Sequence, residues 1–173
     1  MSTSQIPPAL AAADSPTDLG SAVRIFLRHV SPRVVVCAVV ATGIARLWVG
    51  SFALADLAIV FALLAIWPVQ EWLIHVFILH YKPIHVFGRE WDFPVPRSHR
   101  RHHRDPWNVS ILFIPSHVFL YAIPFEVLFW FGVMPTASLA LTGLFSYFVL
   151  TMNYEWLHFL VHTRYRPQSA YYE

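Results

Sequence analysis

The sequence predicts an all-α integral membrane protein, a bundle of four transmembrane helices with a histidine-rich layer at one end. Three observations lead there. Hydrophobic residues make up 57% of the chain and charged residues 13%, about half the share of roughly 25% usual in a soluble domain. Four apolar stretches each approach the ~20 residues that an α-helix needs to cross a bilayer. Seven of the ten histidines fall into three tight groups.

Taken in order, residues 1–18 are rich in Ala, Ser, Pro and Thr and contain no Lys or Arg. They lack the cationic start of a secretory signal and are expected to form a disordered tail. Residues 19–32 follow as an amphipathic interfacial helix: Val23, Phe26, Leu27 and Val30 recur at helical spacing against Arg24, Arg28 and His29, a pattern suited to lying at the membrane surface. Residues 33–173 form the membrane domain. Its expected spans are Val34 to Val49, Asp56 to Ile78, Ile111 to Phe131 and Thr136 to Trp156. Short breaks at Gly50-Ser51 and at Gly132 to Pro135 pair them into two hairpins, and the one long connection runs from Tyr81 to Ser110.

The cations orient this arrangement. Arg24, Arg28 and Arg33 precede the first span, Lys82 to Arg104 occupy the long connection, and Arg164 and Arg166 follow the fourth; only Arg46 lies towards the other side. The positive-inside rule then places both termini and the long connection in the cytoplasm, in a cell inner membrane. The single cysteine, Cys37, sits in an apolar run, which leaves no disulfide framework and no thiolate metal site.

The histidine groups are His75 with His80, then His99 with His102 and His103, then His158 with His162. His158 and His162 stand four apart, about 40° around a helix, so both can reach one metal ion. The three- and four-residue spacings of His99, His102 and His103 put imidazoles on a common face if that stretch is helical. His75 and His80 are five apart, about 140° on an ideal helix, so they bind two different ions or need a distorted turn. Counted from the far-side breaks, all three groups reach the cytoplasmic edge of the bilayer, which makes them a metal-binding layer. No His-Glu-x-x-His occurs, which disfavours a zinc protease. Seven imidazoles are also too many for one structural zinc and suit most of two ions. Spacing alone does not name the metal, because imidazole suits iron, zinc, copper and nickel.

Gln70-Glu71-Trp72-Leu73-Ile74-His75, the run from Arg101 to Asn108, and Tyr154-Glu155-Trp156-Leu157-His158, set across four apolar helices, resemble bacterial members of the fatty acid hydroxylase and sterol desaturase superfamily. The resemblance covers Gln70 to the end. It implies a membrane enzyme with two non-haem irons, for which zinc can substitute, ligated by His75, His80, His99, His102, His103, His158 and His162. It implies too that O2 and two electrons from a ferredoxin- or cytochrome-type donor protein are used to hydroxylate or desaturate a membrane lipid, such as a fatty acyl chain or sterol. Members of the superfamily carry a final His-x2-His-His after a stretch like Tyr165 to Tyr172, and this sequence ends at Glu173. The expectation is therefore a chain truncated before its last ligands, or a degenerate member that binds metal poorly.

Two carboxylates complete the expected site. Glu71 lies four residues before His75, and Glu155 three before His158, so each shares its histidines' helix face and can accept the other ring proton. Asp105 and Asn108 read as a turn and helix cap. Glu126 is costly within an apolar span and should face the bundle or a cavity; His117, in the same span, reads as packing or as lining a substrate path. Two other functions are open: a metal-binding or transport protein without redox chemistry, and an inactive remnant.

Overall fold

The computed structural model describes residues 15–165. Most of the expected tail (residues 1–14) and the stretch after Tyr165 lie outside them. Residues 15–18 are placed: the Arg164 amide donates to Ser15 Oγ at 2.7 Å, and the Asp18 carboxylate caps the first helix by accepting from the Ser21 amide at 2.9 Å. The chain is mostly helical, as expected. Helix α1 (Leu19–Phe26) buries Ala22 and Phe26 against Leu112, Phe159 and Leu160, so its apolar face has a protein partner. Helix α2 (Val30–Val49) and helix α3 (Leu54–Leu73) form the first hairpin. Gly50 and Ser51 turn the chain between them with positive φ angles of 63° and 56°, a conformation that glycine adopts without penalty and serine does not.

The long connection differs from expectation by containing sheet. Strands β1 (Ile84–Val86) and β2 (Arg89–Trp91) pair antiparallel, Val86 opposite Arg89. Phe87 and Gly88 form the two-residue turn, both at positive φ, as a hairpin twisted in the usual sense requires. Helix α4 (Pro94–Arg104) follows, with proline in its first turn, where the missing N–H costs nothing.

The third apolar stretch is not one helix. Residues 109–111 and 116–118 are single 3-10 turns, and the α-helix proper, α5, covers Phe119–Val133. Pro115 has no N–H to continue a helical ladder, and the Ile114 amide is held instead by Glu155 Oε1 at 3.1 Å. Asn108 caps the first of these turns, accepting from the Ser110 amide, in keeping with its expected role.

Helix α6 (Ala137–Val161) packs against α1, α2, α3 and α5. Among the described residues, three segments are long and apolar enough to cross a membrane: Val30–Val49, Leu54–Leu79 and Val109–Val133. Helix α6 has the length but includes Thr142, Asn153 and Glu155. Its central position explains the difference, because a helix surrounded by other helices need not match lipid around its whole circumference.

Two features hold α6 in place. Near the α2–α3 turn, buried Arg46 pairs with Asp56 at 2.9 Å and donates to Thr142 Oγ1 at 2.6 Å, while Thr142 in turn donates to Asp56. A cation far from the other basic residues thus has an internal partner, as polar groups at membrane depth require. Further along, Gly143 lets the Trp130 ring lie directly on the α6 backbone, where a Cβ would collide with three of its ring carbons. Small residues bring membrane helices together in this way. Gly143→Ala is therefore expected to destabilise the fold by about 1–3 kcal/mol through overpacking. Thermal unfolding in detergent checks this, and an unchanged midpoint would contradict the close α5–α6 contact.

Candidate metal centre

The end of α3 is where the sequence spacing and an ideal helix disagree most. Residues Ile74–Leu79 form a π-helical turn, in which the His80 amide donates to the His75 carbonyl at 3.1 Å. That i to i+5 bond stacks the fifth residue over the first, so His80 lies above His75 and their Nε2 atoms are 3.0 Å apart. The distorted turn is thus the outcome, and the two histidines share one group. Wide turns of this kind recur at functional sites because they re-aim side chains.

Helix α4 divides its histidines. His99 and His103, one turn apart, bring their Nε2 atoms to 2.9 Å from each other and face His75 and His80, with His75–His99 and His80–His103 ring centroids at 4.8 and 5.0 Å. His102 points to the other side, towards His158 and His162 at 5.1 and 4.7 Å. The expectation that His99, His102 and His103 act from one common face is therefore corrected. Residues four apart on a helix overlay closely, whereas the third is rotated by about 60° from the first.

Two donor groups result, His75, His80, His99 and His103 in one, and His102, His158 and His162 in the other. Within each, the nearest ring nitrogens all lie within 4.8 Å of one another. A tetrahedral ion with bonds of about 2.0–2.1 Å to nitrogen needs donors roughly 3.4 Å apart, inside the range found here, so the residues fit a metal with small adjustments. His102 adds a second sign of fit. It is 4% exposed, and its Nδ1 has no hydrogen-bond partner among the described residues, a costly state for a buried polar atom unless a ligand meets that ring. The groups adjoin: His102 and His103 ring centroids are 5.8 Å apart.

The protonation states suit ligation. Burial, reinforced by His103 and His75, holds His99 down to about 3. Burial and then His162 hold His102 down to about 4, and burial lowers His103 and His162 as well. All four are neutral near pH 7, with a ring nitrogen lone pair available to an ion.

The two expected carboxylates sit close by but bond elsewhere. Glu71 Oε1 accepts from Trp67 Nε1 at 2.5 Å. Glu155, 2% exposed, accepts from Ser31 Oγ at 2.5 Å and from the Ile114 amide, which ties the start of α2 and the broken segment before α5 to α6. Its Oε2 has no partner among the described residues. Asp105 accepts from Asn108 Nδ2 at 2.9 Å, a turn as expected.

A cavity of about 1060 Å³ opens beside the histidines, as large as the bigger small-molecule sites of proteins. His75, His99, His102 and His158 lie in its wall, together with Glu71, Glu155 and His117. Most of its lining is apolar, including Trp67, Trp72, Ile78, Phe93, Leu112 and Phe148. The α4 wall, with Val95, Pro96 and Ser98, carried no sequence signal of its own; only its neighbouring histidines drew attention to it.

No known protein family, curated protein or solved structure matches the chain. The functional reading therefore rests on the two imidazole groups and the cavity they border.

Two outcomes test the centre. His103→Ala and His158→Ala are each expected to lose about one of two bound ions while retaining the other. Elemental analysis of the purified protein measures this, and loss of both ions from either substitution would contradict two separate groups. The lowered pKa values also fix the sign of a pH effect in metal-free protein. Above the ordinary histidine value of 6.5, folded and unfolded chains both carry these rings neutral, so stability is flat. As pH falls from there towards about 4, the unfolded chain takes up protons that the folded chain refuses, and stability drops. Metal-stripped protein should accordingly melt at a lower temperature at about pH 5 than at about pH 7, with a smaller difference in His102→Gln. Equal melting temperatures would argue against buried neutral imidazoles.

Proposed function

We propose that this chain is the core of a membrane oxygenase in which two irons, held by the seven histidines, oxidise a lipid at the cytoplasmic edge of the bilayer. The observation that carries the reading is the shared wall: one large apolar cavity is bordered by members of both histidine groups, His75 and His99 of one, His102 and His158 of the other. A structural metal site has no need of such a space beside it. The reading includes α6 as a fourth spanning helix, with the basic segments before α2, between α3 and α5, and after α6 in the cytoplasm by the positive-inside rule. The motif resemblance to fatty acid hydroxylases and sterol desaturases supports the same reaction class.

When bound, a pair of irons would supply activation of dioxygen and removal of hydrogen from an unactivated C–H bond. The balance for hydroxylation is one lipid C–H, one O2, two electrons and two protons giving one C–OH and one water. The electrons come from a separate donor protein of the iron–sulfur or haem type. The protein's own part is placement. The π-turn and α4 present five of the seven imidazoles without help from flexible loops, as precise sites require, and burial keeps the α4 rings unprotonated. The apolar lining from Trp67 to Phe148 excludes water and receives a lipid chain, whose long axis it holds beside the histidines. Glu155 holds the Ser31 side chain and the Ile114 backbone amide and so sets the shape of the cavity wall.

The deciding experiment expresses the gene's complete reading frame with a ferredoxin and its reductase in cells supplied with 18O2. The expected outcome is iron in the purified protein and a membrane lipid carrying one labelled oxygen, both lost in His75→Ala. Protein that contains zinc alone, and lipids that gain no label, would replace this reading with a non-redox metal protein.

A further inference from the structure

The cavity does not end at the histidines. Its wall continues between α3, α5 and α6 to Gln70, Glu126, Tyr147 and Thr151, a second set of polar groups within the bundle, apart from the Arg46–Asp56–Thr142 cluster. Glu126 stands mid-way along α5 (Phe119–Val133), and the helix turns it inward: Leu120 and Leu128 are 79% and 74% exposed, while Glu126 is half-buried and faces the cavity. Tyr147 of α6 is in polar contact with Glu126 from one side and Gln70 of α3 from the other. Its ring is fixed edge-on to Trp67, centroids 5.5 Å apart. A carboxyl, a phenol and an amide from three helices thus surround one end of a space that has the histidines at its other end and a mostly apolar wall between.

Ionisable groups at this depth are costly and need partners. A purely structural tie between α5 and α6 could be made without opening onto a cavity. Here the polar atoms line it, so an occupant meets them. An unsubstituted hydrocarbon end would strip these groups of water and return no hydrogen bond, which is unfavourable.

We propose that Glu126, Tyr147 and Gln70 form a recognition subsite for a hydroxyl or carbonyl oxygen on the substrate, at the end remote from the carbon placed beside the histidines. The lipid is therefore bifunctional. The Glu126 carboxyl, which Tyr147 holds by donating its one proton to it, has lone pairs left to accept from a substrate hydroxyl, and Gln70, with two amide protons, has one to donate to either kind of oxygen. Position along the helices sets the separation. Gln70 precedes His75 by five residues and Tyr147 precedes His158 by eleven, which places the subsite about 8–16 Å along the helix axes from the histidine layer. This rests on the proposed lipid oxygenase reading for the chemistry at the histidine end, but binding at the far end is measurable by itself.

The test compares hexadecane, which has no oxygen, with 1-hexadecanol, binding each radiolabelled lipid to the full, metal-loaded chain in nanodiscs and correcting for partition into protein-free nanodiscs. Wild-type protein is expected to favour the alcohol about tenfold, the worth of one buried hydrogen bond not left unmade. Glu126→Leu and Tyr147→Phe should each reduce that preference to less than about threefold while binding of hexadecane is kept or improved. Should Glu126→Leu fail to fold, Tyr147→Phe removes a single oxygen from a packed ring and decides the matter. Equal affinity of wild-type protein for the two lipids, or a wild-type preference in either folded variant, would overturn the subsite. Failure of the oxygenase reading looks different: no iron and no labelled product, with the preference for the alcohol and its loss in the variants still present.

Discussion

Helix α4 is wedged between the end of α3 and the end of α6, and this placement makes two donor groups out of three histidine clusters. A short helix with imidazoles at positions 99, 102 and 103 has to face two ways at once: the pair four residues apart overlays on one side, and the third is directed to the other. If α4 were only covering the bundle, one of these faces would be directed to solvent. Because His75 and His80 stand on one flank and His158 and His162 on the other, both faces meet nitrogen donors. Burial of the α4 rings then keeps them neutral, so the same packing that positions the lone pairs also keeps protons from occupying them.

Bilayer-scale features were legible in the sequence because they depend on length and apolar content, which a chain cannot conceal. The spans at Val30–Val49 and Leu54–Leu79 and the pairing of His158 with His162 follow from these and from α-helical spacing. What was not legible depends on departures from regular geometry. The sequence showed that His75 and His80 needed a distorted turn to act together, but a π-turn is stabilised by its surroundings and leaves no mark in composition. The division of His99 and His103 from His102 depends on which elements flank α4, a tertiary fact. The interruption before α5 has a signal in Pro115, masked by the high apolar content of the stretch from Ile111 to Phe131. The β-hairpin also had one, in the Phe87-Gly88 turn between short strands.

The polar residues inside the bundle divide by their neighbours. Arg46, Asp56 and Thr142 satisfy one another and join three helices at the end away from the histidines. Glu155 binds a serine and a backbone amide across two elements, a tethering role where sequence position suggested a partner for imidazole. Glu126 faces the same cavity as Glu155, but at the end remote from the histidines and without ties to a serine and a backbone amide. Shared cost at membrane depth therefore does not imply shared purpose; what each side chain touches separates fastening from recognition.

Because α4 contributes donors to both groups, the two are separate in their ligands but coupled through one helix. Closure of either one around an ion would steady the whole helix, and the freedom lost in that event is not lost again when the other closes. The second ion would then bind more tightly than the first, although neither group needs the other to be filled. A shared strut thereby links two centres that can still be emptied one at a time.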